Sequence, residues 1–231
     1  MKNQQNVISS KDRNYTLPLL LLTNLMPLYG VIRWNWTFFS VVYLYWLELI
    51  IISTFQLLKI FLAQGGSISC IAKIVIGLKF FLSRTGIFLF YLIFIVTFLG
   101  VLPNKDNTDP TAFVSMADTL LLRNTFFKIN FFGFFLYNLL EFLLTYIINK
   151  AYKQKLATDY FSFLDVHIIV VHIVVVLGTF IYMGATEKLH WKHKSAIIAC
   201  VSLFVVVKLI ADYIRQSVSE ENTVEQTGNF I

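Results

Sequence analysis

Cysteine, charge and the familiar catalytic motifs are all scarce or missing in this chain of 231 residues. Its two cysteines, Cys70 and Cys200, do not make a disulfide framework. Charged residues make up 14% of the chain, against about 25% in an ordinary soluble domain. No glycine-rich phosphate loop, HExxH, CxxC or G-x-S-x-G is found. The sequence therefore favours neither a soluble domain nor an enzyme of a common type.

Long apolar runs occupy the space that charge leaves. Hydrophobic residues form 57% of the chain, and phenylalanine alone contributes 23 residues. The stretch Thr37 to Ala63 has 27 residues with one acid, one lysine and no proline or glycine. As a helix it is about 40 Å long and apolar all round, which exceeds the roughly 30 Å of a bilayer's hydrocarbon core. This run predicts a transmembrane helix.

Five further apolar segments resemble this one. The sequence predicts an all-α, polytopic membrane helix bundle with about six transmembrane helices and one interfacial helix. The interfacial helix is predicted over 69–82, with Lys73 and Lys79 extending toward water. The transmembrane domain covers 15–214, after an N-terminal segment, 1–14, and before a polar, disordered tail, 215–231. The six predicted spans are 15–32, 37–63, 84–102, 126–149, 166–183 and 195–213.

The basic residues lie mostly in loops and at the ends of these spans. Eleven lysines and arginines fall on the side of the N-terminus and seven on the other, with Lys208 left out because it lies inside a span. Because basic loops stay in the cytoplasm, we expect both termini to be cytoplasmic. The net charge of +6 then points to the anionic headgroups of a lipid bilayer and not to nucleic acid.

A few ionisable residues interrupt the predicted spans. At about 1.5 Å per residue they fall in the central and cytoplasmic part of four helices. Such groups normally face the bundle interior and pair with one another. Two readings stay open: Lys208 neutralises one of the acids and fixes the helix register, or the cluster lines a path for a proton, an ion or a substrate. The predicted cluster is Glu48, Glu141, His172, Lys208 and Asp212.

The histidines do not predict a metal or haem site. His167 and His172 are five residues apart, so on a helix they point about 140° away from each other. His190 and His193 are placed at the opposite membrane surface. We expect no metal and no cofactor, and we interpret His172 as a hydrogen-bonded residue of the bundle core.

Two blocks of sequence carry a resemblance to a known family. The first runs Asn24-Leu25-Met26-Pro27-Leu28-Tyr29-Gly30 and continues with Tyr45-Trp46-Leu47-Glu48; the second joins His172 and Gly178 to Lys208 and Asp212. Together they resemble a family of uncharacterised bacterial multi-pass membrane proteins, the domain-of-unknown-function family numbered 6498. The chain departs from its pattern at Arg84-Thr85, where a histidine-tyrosine pair is frequent, and at His167, where arginine is frequent. The resemblance implies a fold and a bacterial inner-membrane location, but no activity.

Three functional hypotheses follow. The first is a small transport or sensing bundle with Glu48 and Lys208 as switchable partners, for which a homo-oligomer is expected. The alternative is a non-catalytic scaffold or assembly partner of another membrane protein complex. The weakest is an intramembrane enzyme acting on a lipid substrate with His172 as base.

Overall fold

A computed structural model describes residues 21–22, 24–66, 68–101, 110–161 and 166–228. Helices and short turns make up this described part, with no strand in it, so the predicted all-α class is confirmed. Helix α1 covers 24–34. Of the first predicted span, 15–32, residues 21–22 and 24–32 are described, and the rest lie outside the described residues.

Helix α2, Phe38–Leu62, matches the second predicted span to within one residue at each end. Thr37 caps its start, where the Thr37 hydroxyl accepts a hydrogen bond from the Ser40 amide at 3.2 Å. The helix ends before Gly65 and Gly66, and Gly66 takes a left-handed φ of 76° that favours glycine. In its most apolar stretch 83% of the residues are buried, so α2 is the central helix of the bundle.

Helix α3, Cys70–Ile95, continues without a break into a π-helical segment, Val96–Val101. The prediction of a separate helix over 69–82 is therefore wrong: residues from Cys70 onward belong to one continuous helical stretch, Cys70–Val101, which is long and apolar enough to cross a membrane. The prediction took Lys73, Lys79 and Arg84 as markers of a surface. Arg84 is instead 2% exposed and packs against α2.

The other helices follow in antiparallel order along the chain. Helix α4 is Pro110–Leu120, and α5 is Thr125–Glu141 with a π-helical end, Phe142–Ile148. Helix α6 runs from Val166 to Lys188 and includes two π-helical segments, Ile173–Leu177 and Gly184–Lys188. Helix α7 is His193–Gly228. The end of α7 lies within the predicted tail, 215–231. The predicted domain boundaries stay predictions.

Five helical stretches of the described chain are long and apolar enough to cross a membrane. They overlap the last five predicted spans, but two of them begin earlier than predicted. Cys70–Val101 includes residues assigned to the interfacial helix, and Val114–Ile148 begins twelve residues before the predicted start at 126. Their bounds are Phe38–Leu62, Cys70–Val101, Val114–Ile148, Ile168–Lys188 and His193–Ala211.

The loops gather at two ends of the bundle. At one end Gln64 donates its amide proton to the Tyr152 carbonyl at 2.6 Å, so the loop after α2 meets the loop after α5. This second loop contains Tyr160, whose pKa is raised by burial and then by its neighbours Tyr146 and Asp159. At the other end the Lys194 ammonium donates to Asn35 Oδ1 at 2.8 Å.

Candidate functional site

An ion pair inside the bundle joins Glu48 on α2 to Lys208 on α7. The Lys208 ammonium donates to both carboxylate oxygens of Glu48, and each side chain is 8% exposed. The two residues are 160 positions apart in the chain. Of the acids considered for Lys208 from the sequence, Glu48 is therefore the one it pairs with.

Two aromatic rings complete the surroundings of the Lys208 ammonium. Its nitrogen lies 5.2 Å from the centre of the Tyr45 ring and 4.9 Å from the centre of the Phe134 ring. Both rings are buried, at 1% exposure. The negative faces of the rings attract a cation most strongly where water is absent. The site thus holds a charged lysine by one carboxylate and two ring faces.

The remaining members of the predicted cluster are not all in this site. Glu141 is the last α-helical residue of α5 and is partly exposed, and its backbone carbonyl accepts the Thr145 hydroxyl at 2.6 Å. Asp212 lies in α7, four residues after Lys208, but its side chain is outside the part that the structure describes. The predicted roles of both acids stay predictions.

His172 belongs to a second polar contact, between α6 and α3. Its Nδ1 atom lies 3.0 Å from the Tyr91 hydroxyl, and the two rings are tilted with centres 5.8 Å apart. Tyr91 is buried at 2% exposure, whereas His172 is exposed. His172 is hydrogen-bonded as predicted, but it faces outward from the bundle.

Arg84 is a buried cation that the sequence did not assign to the cluster. Its guanidinium donates to the Gln56 side-chain oxygen at 3.3 Å and lies 4.9 Å from the centre of the Phe80 ring. The prediction placed Arg84 at the first position of a span, where an arginine usually reaches the headgroups. Helical periodicity carried through from Ser69 would have placed it inside α3.

A polar cleft of about 530 Å³ opens at the end of the bundle where α2 begins. At its floor the Ser40 hydroxyl lies 3.0 Å from the Thr37 hydroxyl and 3.2 Å from that of Thr119. At its rim Arg123 contacts Asp118 at 3.5 Å, and both side chains are well exposed. The cleft offers hydroxyls and one charge of each sign, which suits a small polar solute.

Two non-glycine residues at this cleft have a left-handed backbone. Asn35 has a φ of 52° and Leu122, next to Arg123, has a φ of 53°. A left-handed leucine costs about 1–2 kcal/mol. Strain of this kind tends to collect at functional sites.

Within the described ranges, no three histidine, cysteine, aspartate or glutamate side chains come together in a way that could hold a metal ion. Cys70 is exposed and Cys200 is buried, and both are free thiols. The arrangement offers an ion pair, a histidine–tyrosine contact and a polar cleft.

The fold and the pair define the class of protein: an all-α bundle of membrane-length helices with a buried ion pair between two of them. Residues 6–228 match the family of unknown function DUF6498, and the chain belongs to that family. No curated protein and no solved structure matches the chain.

Proposed function

We propose that this chain is an integral membrane protein that transports or senses a small solute or a proton, and that the Glu48–Lys208 pair is its switch. The observation that carries the proposal is the burial of this pair between two helices, with each side chain 8% exposed. Ionisable groups inside a membrane are costly and commonly mark proton and ion pathways.

The energetics of buried ion pairs favour a switch over an interaction that only stabilises the fold. Removing two charges from water offsets most of their attraction, so a buried pair often stabilises a fold no better than apolar side chains of the same size. For a pair of this kind the cost of removing the charges from water therefore nearly equals the gain from their attraction. Protonation of Glu48 removes its negative charge, so the Lys208 ammonium loses the ionic part of this contact and keeps the ring faces of Tyr45 and Phe134. The contact between α2 and α7 then loosens.

The polar cleft supports the same proposal. It opens at the first turn of α2, and Ser40 at its floor precedes Glu48 by eight residues, which is about 12 Å along the helix. A solute that enters this cleft is two helical turns from the ion pair. One chain offers few spans for a transport path, so we expect two copies to associate.

The protein's surroundings are part of the proposal. We place it in the inner membrane of a bacterium with both termini in the cytoplasm, in contact with anionic lipid headgroups. Of the eleven lysines and arginines counted on the side of the N-terminus, Lys73, Lys79 and Arg84 lie within α3, which leaves eight against seven on the other side. This small excess supports the orientation, and the family resemblance supports the location.

Reconstitution into liposomes that contain a pH-sensitive dye tests the proposal. The parent chain should give a proton-coupled or solute-coupled flux, and Glu48→Gln should abolish it, because the glutamine side chain cannot exchange a proton. Glu187→Gln is the control, since Glu187 is an exposed acid near the end of α6.

A folded Glu48→Gln protein that keeps every flux of the parent would contradict the proposal. So would a parent chain without any flux that co-purifies from its own membrane in fixed proportion with another protein. The second result would favour the scaffold hypothesis. Melting curves of the variants establish that each is folded before its flux is measured.

A further inference from the structure

His172 is a polar side chain on the outward face of a membrane-length helix. Phe38 on α2 stacks on Tyr182 of α6 with ring centres 4.6 Å apart, which sets the relative height of the two helices. His172 lies ten residues from Tyr182, so it is about 15 Å further into the bundle. This is the depth of Glu48, ten residues from Phe38 on the same scale, and close to the middle of the span.

The contact with Tyr91 determines which nitrogen of the His172 imidazole carries the proton. Within the described structure the Tyr91 hydroxyl has one hydrogen-bond partner, His172 Nδ1 at 3.0 Å. A phenol proton that is buried has to be donated, so Tyr91 donates and Nδ1 accepts. Neutral imidazole then carries its proton on Nε2. Because Nδ1 faces the buried tyrosine, the exposed edge presents this N–H donor.

A donor at this depth needs an acceptor that the bilayer itself seldom supplies. Ester and phosphate oxygens of ordinary lipids lie at the edges of a hydrocarbon core about 30 Å thick, roughly 15 Å from its middle. An unsatisfied donor in hydrocarbon costs several kcal/mol. The acceptor has to belong to a molecule whose polar head can enter the core.

From the Tyr91 contact, further aromatic side chains continue along α3 and across to α6. On α3, Phe90 lies 5.7 Å from Tyr91 and 6.4 Å from Phe94, measured between ring centres. On α6, Phe180 lies 6.5 Å from Phe94. Phe90 and Phe180 are both 55% exposed. A planar ring can stack on Phe90, the ring nearest the Tyr91–His172 contact, while a carbonyl reaches the histidine.

The backbone around His172 is also unusual. His172 is the last residue of an α-helical turn, and the π-helical segment Ile173–Leu177 begins directly after it. Wide turns of this kind are uncommon and are frequent at functional sites. On α3, a side chain at Gly86, one turn before Phe90, would meet nothing within 4 Å, so the surface there is open.

We propose that His172 and Tyr91 form a binding site for a membrane-dissolved quinone, with His172 Nε2 donating to a quinone carbonyl and the ring stacking on Phe90. A quinone combines the three required properties: an acceptor oxygen, a planar ring and enough apolar surface to enter the core. The inference does not use the Glu48–Lys208 pair and goes beyond the proposed transport or sensing function.

Photolabelling of the full chain tests the site. The protein is placed in vesicles of phosphatidylethanolamine and phosphatidylglycerol, illuminated with an azido-decylbenzoquinone, and its labelled peptides are identified by mass spectrometry. We expect saturable labelling of peptides within 84–95 and 166–183. Decylbenzoquinone should compete for the label, and decylbenzene, which has no acceptor oxygen, should not.

Four variants make the test specific. His172→Phe should weaken quinone binding about tenfold, as expected for the loss of one buried hydrogen bond. His172→Gln keeps a donor and should recover part of the loss, and Tyr91→Phe should weaken binding less than His172→Phe. The control is His193→Phe, which removes a histidine whose Nδ1 lies 3.2 Å from the Tyr182 hydroxyl near the end of α6.

Labelling that does not saturate, or that His172→Phe leaves at the parent level, overturns the proposal. A second copy of the chain seated on His172 overturns it as well; that result would appear as cross-links between copies at Ile169 without any saturable labelling. If His172→Phe does not fold, His172→Gln and Tyr91→Phe carry the comparison. In that case equal labelling of both variants and the parent excludes the site.

Discussion

At the scale of single residues, Lys208 is a cation whose neighbours are one carboxylate and two ring faces. Lys208→Met leaves Glu48 buried without its partner. Breaking one side of a buried pair costs about 3–5 kcal/mol in soluble proteins. In a membrane the acid can take up a proton instead, so we expect about 3 kcal/mol or less. Thermal melts in detergent should show a clearly less stable protein.

The double variant Lys208→Met with Glu48→Gln separates a stranded charge from lost packing. It should recover part of the loss, because neither charge of the pair is then left in the core. Glu187→Gln in the Lys208→Met background is the control and should recover nothing, since Glu187 is exposed. A Lys208→Met protein that melts like the parent would show that the buried pair contributes nothing to stability.

The residues of the pair could be found from the sequence because both stand alone in long apolar runs. Counting residues along each helix gives Glu48 and Lys208 similar depths in the bilayer, and a buried charge needs a partner. The choice among Glu48, Glu141 and Asp212 could not be made this way, because it depends on how the helices rotate against one another. Arg84 was missed for a related reason: its burial depends on α3 continuing past it.

At the scale of elements, the contact between α6 and α7 depends on the absence of a side chain at Gly178. A Cβ atom at this position would overlap the ring of Phe204, which is 2% exposed. Gly178→Ala should therefore destabilise the bundle by about 1–3 kcal/mol, the usual cost of overpacking. The measurement is a thermal or denaturant melt in detergent.

Gly184→Ala is the matched control on the same helix. A Cβ at Gly184 meets nothing within 4 Å, and alanine favours a helix over glycine by about 0.5–1 kcal/mol. This variant should be as stable as the parent or slightly more stable. Equal melting of Gly178→Ala and Gly184→Ala would mean that α6 and α7 do not pack this closely.

The helices themselves were predicted with uneven success, and α2 and α3 show why. Residues 37–63 were predicted and Phe38–Leu62 is found, because an apolar run between an aromatic turn and Gly65-Gly66 has clear ends. For α3 the lysines suggested two elements, although no proline separates them. The π-helical segments had no signal in the sequence, since they depend on contacts between helices.

At the scale of the whole molecule, the two ends of the bundle differ in which loops they carry. Lys155 is exposed at the end where Gly65 donates its amide proton to the Lys155 carbonyl, and Lys192 is exposed at the end of Asn35 and Lys194. Helix α7 begins at the end that carries Lys194 and runs toward the end that carries Lys155, so the proposed cytoplasmic C-terminus makes the Lys155 end cytoplasmic. This orientation can be tested on single cysteines in a background of Cys70→Ser and Cys200→Ala.

A membrane-impermeant maleimide should label Lys192→Cys in intact spheroplasts and Lys155→Cys after permeabilisation alone. The physical reason is the larger number of basic residues predicted on the side of the N-terminus. The unsubstituted background, without either cysteine, is the control for non-specific labelling. The reverse pattern would show the opposite orientation, and labelling of both sites in intact spheroplasts would show that the loops share one side.

The 160 residues between Glu48 and Lys208 have a consequence for how the protein is made. A chain grows at about 5–20 residues per second, so the central helix is complete roughly 8–30 seconds before its lysine partner is synthesised. Throughout that interval the carboxyl group of Glu48 has to be neutralised by a proton or kept near water. Final docking of α2 in the bundle therefore follows the synthesis of α7, because the ion pair can form only when Lys208 is present.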